Sequence, residues 1–550
     1  MAPAPTPRAA RQATASPSAS PSVLSPSSVP PLPSTRPSAT SSTRLWSGPP
    51  PESAFRILIA TDNHLGYLEK DPIRGEDSFR AFEEVLQIAA ARDVDFVLLG
   101  GDLFHENKPS RRCLVTTLRL LRHYCLGDRP VPFTILSDQA AHFGPATPRA
   151  NYQDPHLNVG LPVFSIHGNH DDPAGDGNLC SLDLLAAAGL VNYFGKQTAV
   201  DHVRLDPILL RKGDCRVALY GLGNIRDERL HKTMLAQHTG ASTEAGAGDD
   251  DNDNDNNDDA YFNLMVIHQN RVPHGATSYI PEEFLDDRFD LVLWGHEHEC
   301  CIDPVRNTAK GFHITQPGSS VATSLSPGEA VPKHVGILTI RPGHQFHIEP
   351  VPLTTTRPFV IDDIALAQLG LQPHDHEAIQ LALSDKVEQM IATAHAEWRD
   401  AHPDRRGQPP PKPLIRLRVE YSGGYTTLHP QRFGQAFAET TANPKDVLHF
   451  YRRRVYANPY APHPTAGGGR SGTTAPRAPL AVPDPFLPDR PEDVDVQEIV
   501  ATFLAAQSLQ FFAEAELSEA VRLFVDKDDR SAIADFVGST LETAQTALQQ

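Results

Sequence analysis

Six short apolar runs rich in Val, Ile, Leu and Phe recur along the chain: FRILIA from Phe55, VDFVLLG from Val94, LPVFSIH from Leu161, RVALYGLG from Arg216, FNLMVIH from Phe262 and FDLVLW from Phe289. Runs of this length and composition read as buried strands of an α/β fold, and segments with helical spacing separate several of them. Five runs end in a short polar cluster: TDNH (Asp62, His64), GGDLFHE (Asp102, His105), GNHDD (Asn169, His170), VIHQN (His268) and WGHEH (His296, His298). Strand carboxyl ends in such folds converge on one crevice, so side chains far apart in sequence can meet there. His296 and His298 are two residues apart, so an extended backbone points both rings to one side.

Two Asp, one Asn and four His among these clusters make too many ligands for one ion and suit two. A two-metal phosphoryl-transfer site holds its ions about 3.5–4 Å apart, bridged by a carboxylate and by the solvent molecule that attacks. Asp102 is the natural bridge. Carboxylate, amide and imidazole ligands without thiolate favour manganese, leave iron and zinc open, and disfavour magnesium and calcium. Taken singly, Asp62 reads as a helix cap, His64 as a loop residue, Asn169 as an Asx-turn residue and His268 as a core histidine. Five such clusters in this order are not explained in that way.

The order DxH, GDxxH, GNH, H and GHxH resembles that of the calcineurin-like metallophosphoesterases. The longer strings TDNHLGY, GGDLFHENKPS, SIHGNHDDP, VIHQNR and WGHEHEC are similar to those of the nuclease subunits of the MRN/MRX double-strand-break repair complexes. YGLGNIRDERL, QPGSSVATSL, NPKDVLHFYRRR and LSEAVRLFVDKDD extend the similarity. The resemblance implies a metallophosphoesterase β-sandwich flanked by helices, with a smaller α/β capping domain and a C-terminal helical segment. It also implies two Mn2+ per chain, one held by Asp62, His64, Asp102 and His298 and the other by Asp102, Asn169, His268 and His296. His105 and His170 are implied to lie by the scissile phosphate, His170 stabilising the transition state or protonating the leaving oxygen. For His105, a role in orienting a ligand is the alternative. The implied activities are 3′-to-5′ exonuclease and single-strand endonuclease cleavage of DNA in break repair, including meiosis. The implied partners are DNA ends and single strands, a coiled-coil SMC-like ATPase, a Nijmegen-breakage-type regulatory subunit and a second copy of the chain. The implied compartment is the nucleus.

The organisation of the chain follows from texture. Residues 1–52 are rich in Pro and Ser and read as a disordered tail, and residues 53–345 as the phosphoesterase domain. Within that domain, 241–259 (ASTEAGAGDDDNDNDNNDD) reads as a disordered acidic insertion. A capping and DNA-binding domain is expected over 346–460, a linker over 461–492, and helices that bind the ATPase over 493–550. The capping region carries a basic cluster that includes Arg416, Arg418, Arg452, Arg453 and Arg454 as candidate DNA contacts. With a net charge of −19, DNA contact must come from such local patches. The six cysteines lack CxxC spacing, which predicts free thiols in a reducing compartment. No apolar stretch is long enough to span a membrane, so none is expected as a partner. The acidic insertion and the lack of an extended basic, Gly/Arg-rich tail depart from the resemblance, and the second bears on auxiliary DNA binding.

Apolar positions on helices expected at 111–125 and 178–190 are implied to form a two-fold four-helix interface through Leu118 and Leu185; packing inside their own subunit is the alternative. Two other functions compete with the nuclease. A phosphatase or cyclic phosphodiesterase of the same superfamily typically carries Arg just after GD, where this chain has Leu103, Phe104, His105 and Glu106. A scaffold that mainly tethers DNA ends would not need the seven ligands.

Overall fold

Alternation along the strand Phe55–Ala60 divides its side chains between two cores, which sets the layering of the molecule. Phe55, Ile57 and Ile59 face a second sheet, whereas Leu58 and Ala60 face helices. The computed structural model describes residues 52–452, except 145–146, 176, 198–201, 245–260, 274, 276 and 406. Its strands begin with β1 (Phe55–Ala60), β2 (Phe96–Leu99), β3 (Thr134–Ile135), β4 (Val163–Ser165), β5 (Asn192–Tyr193) and β6 (Ile208–Lys212). Next come β7 (Cys215–Leu222), β8 (Phe262–His268), β9 (Leu291–Gly295), β10 (Cys301–Arg306), β11 (His313–Gln316), β12 (His334–Arg341) and β13 (Gln345–Pro352). The helices among them are α1 (Asp77–Ala91), α2 (Arg111–Cys125), α3 (Gln139–Phe143), α4 (Ser181–Ala187) and α5 (Asp227–Glu244).

One sheet has the order β13-β12-β1-β2-β4-β5 and the other β10-β11-β9-β8-β7-β6-β3. Between them lies a core of Phe55, Phe96, Phe164, Val217, Leu264 and Leu293. α1, α2 and α4 cover the outer face of the first sheet, and Leu230 of α5 packs on the outer face of the second. Each fully buried Leu, Ile or Phe contributes on the order of 1.5–3 kcal/mol, so these three apolar layers hold the sandwich. β1, β2 and β4 run parallel, as do β7, β8 and β9, so both sheets deliver their strand ends to one edge. The expected β-sandwich flanked by helices is therefore present.

A smaller unit follows, with β14 (Phe359–Ala365), α6 (His376–Ala401), β15 (Leu414–Glu420), α7 (Pro430–Gly434) and β16 (Leu448–Tyr451). Its three strands are parallel in the order β14-β15-β16, and α6 buries Ile379, Leu383 and Val387 against Ile415, Leu417 and Val419. A polar strap joins it to α1. The backbone N–H and hydroxyl groups of Thr354 and Thr355 all donate to the buried Glu84 carboxylate at 2.6–2.8 Å. Arg357 pairs with both oxygens of Asp77 at 2.7 Å.

Several sequence expectations change. α5 continues through Glu244, so the first four residues of the expected disordered insertion are helical. The helix expected over 178–190 spans Ser181–Ala187 and stops before Gly189, which sits at φ +68°. Leu185 on it is 1% exposed and belongs to the core of its own subunit, whereas Leu184 beside it is 60% exposed. In the small unit, α7 is only five residues long and is followed by a 3-10 turn. The expected tail 1–52 (save its last residue), the linker 461–492 and the helices 493–550 lie outside the described residues. Among the described residues, no helix is long and apolar enough to cross a membrane.

Candidate metal centre

Each polar cluster follows its strand directly, and the backbone there is contorted. Asp62, His64, Asp102 and His296 adopt φ of 51°, 45°, 49° and 85°, in the left-handed region that L-residues avoid. Strain of about 1–3 kcal/mol at each persists only where the surroundings over-determine it, as at functional sites. Gly168 permits the closest approach, because a Cβ there would overlap the Asp102 carboxylate.

Two ligand sets result. In one, Asp62, His64 and His298 bring a carboxylate oxygen and two imidazole nitrogens together, with His64 Nε2 3.1 Å from His298 Nε2. In the other, Asp102, His268 and His296 converge, and Asn169 Oδ1 lies 3.3 Å from His268 Nε2 and 2.9 Å from His296 Nδ1. Asp102 Oδ2 faces both sets, 3.8 Å from His64 Nε2 and 3.4 Å from His268 Nε2. All seven sequence-predicted ligands thus meet at one edge of the sandwich. Asp62, His64, Asp102 and His268 are buried, while Asn169, His296 and His298 form the open side.

These residues fit a pair of divalent cations. Asp62 Oδ2 accepts from Thr61 Oγ1 at 2.6 Å and from the His296 N–H at 3.1 Å, but buried Oδ1 has no hydrogen-bond partner among the described residues. An uncompensated buried carboxylate oxygen is costly, and it points at the two imidazoles of its set. Burial pushes the Asp62 carboxyl up, but His268 and His298 bring it down to about 2. Burial pushes Asp102 up as well, but His268, His64 and His170 together hold it well below the usual carboxylate range. Burial holds the His64 imidazole well below its ordinary value, and burial with His268 brings His296 down to about 4. Burial pulls His268 and His298 down, but Asp102 and Asp62 raise His268 to about 9, and Glu329 and Asp62 raise His298 to about 10. Ionised carboxylates and neutral imidazoles bind metal, so these two rings give up a proton when an ion enters.

The surrounding groups fix which ring nitrogen each histidine presents. His268 Nδ1 lies 2.8 Å from the Gly100 carbonyl and His298 Nδ1 lies 2.9 Å from Glu329, so each turns Nε2 to the centre. Asp171, buried at 0% exposure, accepts from the Leu103 N–H at 2.8 Å and the Gly168 N–H at 2.6 Å, binding two ligand loops together. Burial and Asp102 push its carboxyl up to about 7. Sequence reasoning assigned no role to Asp171 or Glu329. The first stands inside GNHDD, where a third strand-end acid was a signal; the second lies on a turn with no pattern to mark it.

His105 and His170 stand beside the first set. Their rings stack at 4.9 Å, and His64, His105 and His170 also bring one nitrogen each together. His170 Nδ1 lies 2.6 Å from the His105 carbonyl, which commits that nitrogen as a donor and leaves Nε2 for other chemistry.

Comparison with known proteins agrees with this geometry. Residues 55–300 match the calcineurin-like phosphoesterase family, and residues 346–524 match the presumed Mre11 DNA-binding domain. The mouse double-strand break repair protein MRE11 is 46% identical over 507 residues, covering 91% of this chain and 68% of the mouse protein. The chain belongs to the Mre11 family. The human MRE11 protein is likewise 46% identical over 509 residues, 91% of this chain and 68% of its own. The Neurospora crassa double-strand break repair protein mus-23 is 46% identical over 510 residues, 90% of this chain and 66% of its own. Membership of this metallophosphoesterase family implies divalent-metal binding, and the two sets bring together carboxylates and imidazoles that could hold such ions.

The candidate DNA contacts are less uniform in this Mre11-family chain. Arg416 and Arg418 lie two apart on β15, on one face of the small sheet. Arg418 is bidentate with Asp363 at 2.8 and 3.0 Å, so its charge is locally balanced. Arg416 donates to the Asp446 carbonyl at 3.0 Å, and the Arg452 guanidinium lies 4.8 Å from the Tyr421 ring centre. Arg453 and Arg454 lie outside the described residues.

Proposed function

We propose that the chain is a manganese-dependent DNA nuclease that hydrolyses phosphodiesters with two metal ions, as 3′-to-5′ exonuclease and single-strand endonuclease. The observation that carries this reading is Asp102 Oδ2 standing between two complete ligand sets. Asp62, His64, Asp102 and His298 would hold one ion and Asp102, Asn169, His268 and His296 the other. When bound, the ions supply Lewis acidity to the phosphate and to the attacking water. The protein's own groups do the rest. Asp102 Oδ1 accepts the His170 N–H at 2.8 Å, tying the loop that carries His170 to the bridging carboxylate. With Nδ1 committed to the His105 carbonyl, His170 Nε2 is the atom that stabilises charge on the leaving oxygen or hands it a proton. Stacking on His105 holds the ring at that angle.

Leu103 and Phe104 after GD are fully buried, so this segment offers no cation to grip a terminal phosphate, which favours diester over monoester substrates. Residues 53–345 act as the nuclease domain and 346–460 as the capping domain that guides DNA. Arg416 and Arg452 are its favoured backbone contacts, with Arg418, Arg453 and Arg454 beside them. The partners are a coiled-coil SMC-like ATPase, a Nijmegen-breakage-type regulatory subunit and a second copy of the chain, in the nucleus. Digestion of end-labelled duplex and circular single-stranded DNA, with manganese and then magnesium, tests the reading. No manganese-dependent cleavage of either substrate would refute it.

A further inference from the structure

A buried network leads from the metal centre to the capping unit. Glu329 lies on the 3-10 turn Pro327–Ala330 and is 2% exposed. Its Oε1 faces His298 Nδ1 at 2.9 Å and accepts from the Thr323 N–H at 2.9 Å, the Thr323 hydroxyl at 3.0 Å and the Ser324 N–H at 3.1 Å. Oε2 accepts from Ser319 Oγ at 2.9 Å and from Lys333 Nζ at 2.6 Å. Lys333, 5% exposed, also donates to the His298 carbonyl at 3.2 Å. The ring and backbone of His298 are thus held by one ion pair on one turn. β14, the first strand of the capping sheet, packs against this same turn.

A carboxylate on the far nitrogen of a metal-ligating imidazole fixes its tautomer and angle. Since the turn that supplies this carboxylate is also the seat of β14, a shift of the capping unit changes how His298 is aimed. We propose that Glu329 is a positioning residue through which the capping unit sets the affinity of the ion site formed by Asp62, His64, Asp102 and His298. The inference rests on the ligand assignment made above. By linkage, DNA that settles the capping unit raises the affinity of that ion by the factor by which the ion raises DNA affinity.

Manganese titration calorimetry and electron paramagnetic resonance on the full chain test this without reference to cleavage. The wild type should bind two ions whose spins couple. E329Q should retain one ion at wild-type affinity, bind the other about 10–100-fold more weakly, and show uncoupled hyperfine lines at two equivalents. H298A should lose the same ion. If H298A kept both ions, the ligand assignment would fail; if H298A lost one while E329Q bound both normally, the role of Glu329 would fail. Should E329Q not fold, S319A removes one donor to the carboxylate without touching the His298 ring and must weaken the same ion; an unchanged titration of folded S319A rejects the proposal. E84A, which frees the strap on α1, should weaken that ion in the wild type and add nothing in E329Q. Equal effects of E84A in both backgrounds would show that the coupling bypasses Glu329.

Discussion

Asp102 and His170 lie on neighbouring loops, yet their loss should have opposite signatures. Asp102 supplies the one oxygen that faces both ligand sets, so Asp102→Ala should abolish hydrolysis of every nucleic-acid substrate and lower manganese content. Elemental analysis of the purified variant, together with a digestion assay, checks both parts. With Nδ1 committed to the His105 carbonyl, His170 has only Nε2 to offer, so His170→Asn should keep metal near wild type while turnover falls roughly 10²–10⁴-fold. Loss of both ions from folded His170→Asn would make it a ligand. The seven ligands were legible because each stands directly after an apolar run, where strand geometry fixes its destination. Glu329 was not, because it reaches His298 from a turn whose sequence has no period.

At the scale of elements, the apolar surface of α2 and α4 separates into a face that packs inward and a face that does not. Cys113, Thr117, Leu121 and Cys125 are buried on α2, whereas Val115 is 46% exposed and Leu118 is half-buried. Leu184 on α4 and Leu179 just before it are 60% and 58% exposed. The two-fold contact proposed for these helices would run through the exposed Leu184 and through Leu118, which also packs against its own core, and aspartate at either should give a folded monomer. Sedimentation velocity showing an unchanged oligomer for both would remove the helices from the interface. Leu185→Ala should instead cost about 2–5 kcal/mol of stability without changing assembly, read by denaturant unfolding of the variant. Leu184 and Leu185 stand side by side, and the seven residues of α4 give too few turns for an apolar period to tell the buried one from the exposed one. The strands were easier to read: β1, β2 and β8 are buried on both faces, and unbroken apolar runs are what such burial requires.

Across the whole molecule, the strap at 354–357 decides how firmly the small unit sits on the sandwich. Removing the Glu84 carboxylate leaves four donors of Thr354 and Thr355 without their acceptor, so Glu84→Ala should speed hydrogen exchange at those two amides. Unchanged protection would mean that Arg357 on Asp77 and His402 on the Thr354 carbonyl hold the strap without Glu84. In 493–550, outside the described residues, the spacing of Phe503, Leu504, Val521, Phe524, Ile533, Phe536 and Leu541 predicts helices whose apolar faces need a partner. Truncation after Asp484 should therefore leave manganese-dependent cleavage intact and abolish capture of the ATPase in a pull-down; undiminished capture would move docking to the remaining domains. The order of the first sheet bears on how such a chain is made. β1 sits between β2, which follows it closely, and β12, which pairs with it through Phe55↔Ile340 and Ile57↔Leu338. On the ribosome, one side of β1 must wait for residues 334–341 to emerge, and until then it presents open hydrogen-bonding groups and a bare apolar flank. The nascent sandwich therefore carries an open flank until then, and a fragment ending at residue 300 keeps that unfinished edge for good.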